Sequence, residues 1–377
     1  SVVSTIDTPM FIFGTFALLF YAKGFFENNY FFYVGGIFLG IAALSKVSAI
    51  WLGIGMLFYI IISVRRLEYL KNFHLWLSFI FSALIYSPFL IWNYSHDFPF
   101  LVTATNLLSR KSSVESFIMF WISQILLLFP TIFILCFHAL KIKQKNNPSE
   151  NRKEYSTFFS VLGIVALMYI FYQSLKSNLE ANWGGFAYIS LLLLVPIHIT
   201  SIWKKYRMSY VLPGSLILST MIMFTVLGHT LFGFWEIKKN DITNRYYAFS
   251  SFPGEIKEFY DSQLDPEIRT ISYNNYQIPS MLEYHLKPLK PSLSINGADY
   301  HPVIFEYWYH DTELNGQDLY IMQKNSNELQ KISENCEAYS LLKKFLTTRD
   351  NSIISEFYLY SCKQFSGKIR KLPTLLF

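Results

Sequence analysis

The chain has 377 residues; 52% are hydrophobic, 19% aromatic and only 15% charged, with a formal net charge of +6. A soluble domain carries roughly 25% charged residues, so the composition argues against a large soluble helical protein, whose helices would show a polar face. No nucleic-acid partner is expected; the expected surroundings are a lipid bilayer.

The apolar residues fall in runs of about 15–25 residues, close to the ~20 that cross a bilayer as a helix. In chain order the runs predict eight spans at about 9–22, 30–45, 47–64, 75–92, 116–140, 157–174, 184–202 and 209–232. The chain opens with Ser1 and has neither a basic leader nor a small-residue cleavage site, so the first run is not a signal peptide. The expectation is that the numbering starts inside a longer protein or that the gene is truncated.

The loops between these runs differ in charge. One set holds Lys23, Arg65, Arg66, Lys71, Lys141, Lys143, Lys145, Arg152, Lys153, Lys204, Lys205 and Arg207. The other holds Lys46, Arg110, Lys111 and Lys176. Twelve basic residues against four place the first set in the cytoplasm. Asp7, Lys46, the 93–115 loop and the 175–183 loop then face outward, in a bacterium the periplasm.

Four outward stretches carry polar groups that suit chemistry at a membrane surface. Asp7 in "STIDTPMF" precedes the first span. It suits an N-terminal helix cap ahead of Pro9 and equally a general base or metal ligand. Lys46 is the one Asp, Glu, Lys or Arg between Glu27 and Arg65. It reads as a snorkelling lysine or as a point charge for a lipid phosphate.

The stretch "WNYSHDFPFLVTATNLLSRKSS", residues 92–113, holds His96, Asp97, Arg110 and Lys111. It reads as an interfacial loop or a helix lying on the membrane, with Arg110 suited to phosphate oxygens. In "LKSNLEANWGGF", residues 175–186, Trp183 suits an aromatic belt. Lys176, Glu180 and Asn182 are candidate sugar or acceptor contacts. The convergence on one face fits an anionic lipid with a polar headgroup.

Beyond Trp235 the composition turns polar, which divides the chain into a transmembrane domain, 1–235, and a soluble domain, 236–377. Strand-like runs at 268–273, 318–323 and 356–361 alternate with helix-like stretches at 254–263, 275–286 and 327–346, the pattern of a small α/β domain. Cys336 and Cys362 lie there and Cys136 lies within a span. An oxidising compartment permits a Cys336–Cys362 disulfide, and two free thiols fit the spacing equally. Tyr276, Trp308 and Tyr309 suit core packing better than sugar stacking.

At "STIDTPMFIF", "GIFLGIAALSKVSAIW", "PFLIWNYSHDFPF" through "LLSRK", and "EANWGGFAYISLLLL" the chain resembles the membrane-embedded C-type glycosyltransferases. It is most similar to bacterial relatives of protein O-mannosyltransferases and lipid A aminoarabinose transferases. "NNYQIPSMLEYHL" and "GQDLYIM" resemble the periplasmic domain of some members. The resemblance implies an all-α polytopic membrane domain followed by a small α/β periplasmic domain. It implies transfer of a sugar from a polyprenyl-phosphate donor to a lipid, glycan or protein acceptor at the outer face of the inner membrane. Asp7 matches a carboxylate that organises the site or a divalent metal. Lys46, and after it Arg110, match residues that contact donor phosphate. The family's main acid lies in an outer loop ahead of everything in this chain, and the leading spans are expected to be missing. The alternatives are an O-antigen ligase or polymerase, a non-catalytic remnant, and a transporter or flippase. The short loop after residue 174 argues against the ligase, and charges at span ends argue against the transporter.

Overall fold

The computed structural model describes residues 6–108, 111–141, 150–206, 210–235, 241, 244, 253–295, 311–324, 334–349 and 352–366. It divides into two compact units, Ser1–Met221 and Ile222–Phe377, the boundary falling within a helix.

The first unit is helical: α1 (Asp7–Phe26), α2 (Phe31–Ser45), α3 (Ile50–Ile62), α4 (Arg66–Lys71), α5 (Phe73–Ser95), α6 (Pro99–Leu108), α7 (Val114–Leu127), α8 (Pro130–Lys141), α9 (Glu150–Lys176), α10 (Gly185–Tyr206) and α11 (Val211–Phe232). Among the described residues five helical stretches are long and apolar enough to cross a membrane: Asp7–Phe26, Phe73–Ser95, Arg152–Lys176, Ala181–His198 and Pro213–Phe232. The chain is a multi-pass membrane protein. The runs at 30–45 and 47–64 form the shorter helices α2 and α3, of 15 and 13 residues.

The expected span 116–140 is not one straight helix. α7 and α8 meet at 97°. Phe129 has φ 63° and Pro130 opens α8. A residue before proline is pushed out of the α region, and proline removes a helical donor. Hydropathy alone gives no sign of this break.

Small residues let these helices approach closely. Gly35, Gly36 and Gly40 of α2 lie against Tyr21, Ser78 and Ile85. Ser82 Oγ donates to the Gly36 carbonyl at 2.7 Å, and Ser78 Oγ to the Tyr21 hydroxyl at 3.1 Å. The core runs through Met10, Leu18 and Tyr21 of α1, Leu52 and Met56 of α3, Phe158 and Leu162 of α9, and Phe186 of α10. At the end of the bundle marked by the last turn of α1, Tyr155 donates to Glu27 at 2.7 Å and Arg65 pairs with Glu68 and Glu154. Asp7 lies at the start of α1 and Lys46 at the end of α2, so these two helices run in opposite directions.

In the second unit, strands β1 (Arg269–Tyr273), β2 (Leu293–Ile295), β3 (Gln317–Gln323), β4 (Ala338–Arg349) and β5 (Ser352–Phe365) form one sheet in the order β2-β1-β3-β5-β4. β1 is parallel to β2 and β3; β5 is antiparallel to β3 and β4. Helices α12 (Pro253–Gln263) and α13 (Gln277–His285) supply Ile256, Ile278 and Leu282, which pack on Tyr320, Met322, Phe357 and Leu359. The alternate residues Leu319, Ile321 and Cys362 face the other way with Ile271 and Leu293, as a two-residue period requires. Cys336 and Cys362 form a disulfide, with Cα atoms 5.4 Å apart.

The expected strands at 268–273, 318–323 and 356–361 are β1, β3 and part of β5. The helix-like reading of 327–346 fails where the chain is described, because Ala338–Arg349 is strand β4. β4 is an edge strand whose Leu341, Leu342 and Leu346 are exposed. Without a buried face, its first half lacks the alternation that betrays a strand.

At the close of α11 the second unit holds a buried ionic cluster. His229 Nε2 donates to Asp241 Oδ2 at 2.6 Å, since the Trp235 N–H donates to Nδ1 at 3.2 Å. Arg349 donates to Asp241 and Asn244, both at 3.2 Å, and to the His229 carbonyl at 2.5 Å. A cation on that carbonyl suits the negative end of a helix.

Candidate functional site

Lys46 ends α2 with extended backbone (φ −153°, ψ 125°) and is followed by a 3-10 turn, Val47–Ala49. This break in the apolar run places one ammonium at the bundle end. Asp7 is the first residue of α1, where a carboxylate complements the positive end of the helix dipole. Lys46 Nζ donates to Asp7 Oδ1 at 2.5 Å. Asn182 Nδ2 donates to Asp7 Oδ2 at 3.1 Å. Asp7 is buried, at 8% exposure, while Asn182 is open to solvent. Three residues from three distant stretches meet in one group with cationic, anionic and amide members.

Two contacts bring Asn182 to this place. Gly185, at the start of α10, lies against the ring of Phe11 so closely that a Cβ would sit 2.7 Å from it. The 3-10 turn Ala181–Gly184 is fastened from the far side by Gln124 of α7, whose Nε2 donates to the Ala181 carbonyl at 2.8 Å. Gln124 is 1% exposed, and a Cβ on Gly184 would meet its Oε1 at 2.5 Å. Sequence reasoning passed over Gln124. The available signal was one amide inside the apolar run "WISQILLLF", since intramembrane polar groups are rare and purposeful.

The remaining sequence candidates lie elsewhere or at the margin. Lys111 bridges Ser177 through its backbone, and Ser112 donates to the Lys176 and Ser174 carbonyls at 3.2 and 2.8 Å. Lys111 and Lys176 are thereby carried on paired segments, with the Lys176 ammonium over the Tyr172 ring at 4.6 Å. Glu180 precedes the 3-10 turn and is exposed. His96 stacks on Trp92 and contacts its carbonyl at 2.8 Å. Asp97 stands in the tight turn before α6 with φ 58°. Arg110, Trp308 and Tyr309 lie outside the described residues.

The donor set around Asp7 does not fit a divalent cation. Both carboxylate oxygens are engaged, one by an ammonium, and no cluster of three His, Cys, Asp or Glu occurs among the described residues. Magnesium and calcium take several oxygen ligands, whereas Asp7 offers a single carboxylate already bonded to Lys46 and Asn182. What the arrangement supplies is a cation fixed at the end of the helical bundle by a carboxylate that is itself fixed.

Residues 1–92 match the family model of the dolichyl-phosphate-mannose-protein mannosyltransferases. Over this stretch the chain is similar to these mannosyltransferases. The matched stretch spans α1 to most of α5 and contains Asp7 and Lys46, while Asn182, Gln124, Lys111 and Lys176 lie beyond it. The cation and its carboxylate partner therefore lie in the part of the chain that carries the similarity. No curated protein and no solved structure matches the chain.

Proposed function

We propose that the chain is a glycosyltransferase that takes a sugar from a polyprenyl-phosphate donor and passes it to an acceptor at the outer face of a bacterial inner membrane. The observation that carries this reading is the Lys46–Asp7–Asn182 group at the end of an apolar bundle. The match to dolichyl-phosphate-mannose-dependent enzymes supports the donor class. The basic loops at the opposite end support the outward orientation. The Cys336–Cys362 disulfide supports an oxidising compartment for the second unit.

In this reading the acceptor hydroxyl adds to the anomeric carbon as the bond from that carbon to the phosphate oxygen breaks. The electron pair stays on the phosphate, which gains a negative charge, and the hydroxyl proton balances it. A cation already in place stabilises that growing charge more than the ground state. Lys46 has this role, with Lys111 and Arg110 as secondary phosphate contacts. Asp7 is committed at both oxygens, so it fits positioning of Lys46 better than proton abstraction. In this reading Asn182, Lys176 and Glu180 contact sugar or acceptor, with His96 and Asp97 as further candidates for that role.

The test is transfer from a radiolabelled polyprenyl-phosphate sugar by the protein in lipid nanodiscs. Lys46→Ala is expected to raise the donor KM and lower kcat, with Lys46→Arg recovering part of both. Full transfer and unchanged donor KM in Lys46→Ala would refute the phosphate assignment.

A further inference from the structure

The second unit contains a cavity of about 490 Å³ between α12 and strands β3, β4 and β5. That volume is in the range of small-molecule sites. Its floor is apolar, with Phe259, Leu264 and Tyr320, and Leu342 stands at its exposed edge. Its rim carries Gln263 of α12, Asp318 of β3, and Ser361 and Lys363 of β5.

Two irregularities of the sheet converge on this cavity. Leu341 and Lys343 pair with Tyr360 and Leu359, which leaves Leu342 as an extra residue on β4. Gln317 and Leu319 pair with Phe365 and Cys362, so Lys363 and Gln364 together oppose Asp318. Both are β-bulges, which re-aim side chains and gather beside binding sites. Gln364 has φ 49°, in the left-handed region where a non-glycine residue is strained. Such strain persists where the surroundings hold it. Here the Gln364 N–H donates to Asp318 Oδ1 at 3.1 Å and Lys363 Nζ to Oδ2 at 2.6 Å. The neighbouring Cys362 is tied to Cys336.

The bulges thus turn Leu342 and an ion pair toward one hollow. The ammonium of Lys363 and the Gln364 N–H hold the Asp318 carboxyl below its ordinary pKa. The pair is neutral as a whole and offers both acceptor and donor atoms. Among the described residues the Gln263 amide has no hydrogen-bond partner, and the Ser361 hydroxyl is linked to Ser340 at 2.8 Å. An ionic ligand would have to compete with one member of the pair. A ring with hydroxyls at its edge and CH groups on its face would use the rim and the floor together. We propose that this cavity is a binding site for a neutral carbohydrate of one or two rings, separate from the Lys46 group.

The test uses the full chain in nanodiscs, with the methyl glycosides of glucose, galactose, mannose and N-acetylglucosamine, and maltose, as probes. Saturation-transfer NMR is expected to show contact with at least one, with Kd in the millimolar range. Leu342→Trp, which fills the hollow, is expected to abolish the signal. Gln263→Ala, at an exposed position, is expected to weaken binding about five- to tenfold, the loss of one hydrogen bond. Lys46→Ala is expected to leave it unchanged. A folded protein that contacts none of the neutral probes overturns the proposal. So does a signal that survives in both Leu342→Trp and Gln263→Ala, or one that disappears with Lys46→Ala alone. Tighter binding of glucose 6-phosphate than of any neutral probe also overturns it.

Discussion

The ammonium of Lys46 lies 2.5 Å from the carboxylate of Asp7, across 39 residues of sequence. The side chains are 16% and 11% exposed, so the pair is neither a surface ion pair, worth ~0–1 kcal/mol, nor a fully buried one. Removing one partner leaves the other poorly compensated. Lys46→Met is expected to cost about 1–3 kcal/mol, below the ~3–5 kcal/mol of a fully buried pair. Adding Asp7→Asn to Lys46→Met is expected to restore most of the unfolding temperature without restoring sugar transfer. A double variant as labile as Lys46→Met would show that the pair is not what sets stability at this end of the bundle.

Gln124 acts on Asp7 at one remove, by fixing the turn that carries Asn182. Gln124→Leu keeps the volume and deletes one buried hydrogen bond, leaving the Ala181 carbonyl without that donor. One such bond is worth ~0.5–1.5 kcal/mol, and about 1.4 kcal/mol is tenfold in rate. A fall of up to about tenfold in kcat/KM is therefore expected. Gln124→Glu loses the donor as well and should not rescue it. Activity unchanged in Gln124→Leu would mean that the turn holds its place by packing alone.

The positions of Asp7, Lys46 and Asn182 along the chain were legible because charge is scarce in an apolar sequence. Each polar residue at a span end stood out, and the alternation of loops put all three on one face. Their contact was not legible, since it depends on how close Gly185 comes to Phe11 and on Gln124, one amide in a long apolar run. The soluble unit shows the opposite balance. Its interior strands β1 and β3 declared themselves through buried β-branched and aromatic residues, whereas "AYSLLKKFLTTR" in β4 did not. An edge strand has little burial to pattern it, and its long hairpin with β5 is a tertiary fact. The break at Phe129–Pro130 escaped for a related reason, because hydropathy counts apolar residues and not the direction in which they run.

Gly36 measures how tightly α2 and α5 pack. A Cβ there would lie 2.3 Å from the Ser78 carbonyl oxygen, a backbone atom that cannot swing aside. Gly36→Ala is expected to force the helices apart and cost about 1–3 kcal/mol. Gly53→Ala places its Cβ 3.6 Å from Leu39, an ordinary contact, and is expected to be neutral or mildly stabilising. Thermal unfolding of the two variants in the same detergent makes the comparison. Equal melting temperatures would contradict the close approach.

The disulfide between Cys336 and Cys362 closes a sequence separation of 26 residues. Thiol titration of the unfolded, unreduced protein is expected to find one thiol, Cys136, and the reduced protein three. Breaking the bond with Cys336→Ser and Cys362→Ser is expected to cost about 2–4 kcal/mol in the second unit, read by its protease resistance. Because Cys362 anchors the bulged end of β5, carbohydrate binding should weaken in the same variant.

Arg349 makes the most exacting demand on the second unit. Its guanidinium serves Asp241, Asn244 and the His229 carbonyl at once, with both charged side chains 4–5% exposed. The Trp235 N–H holds Nδ1 as an acceptor, so His229 is a neutral donor through Nε2 and Arg349 is the cation that offsets Asp241. Arg349→Met is expected to leave that carboxylate unbalanced and to cost about 3–5 kcal/mol. Lysine offers a point charge in place of a planar fork, so Arg349→Lys should recover only part of the loss. Asp241→Asn combined with Arg349→Met removes both charges and should be more stable than Arg349→Met alone. The measurement is the unfolding temperature of the three variants, and an Arg349→Met protein as stable as the double variant would remove the ion pair from the account of how α11 ends.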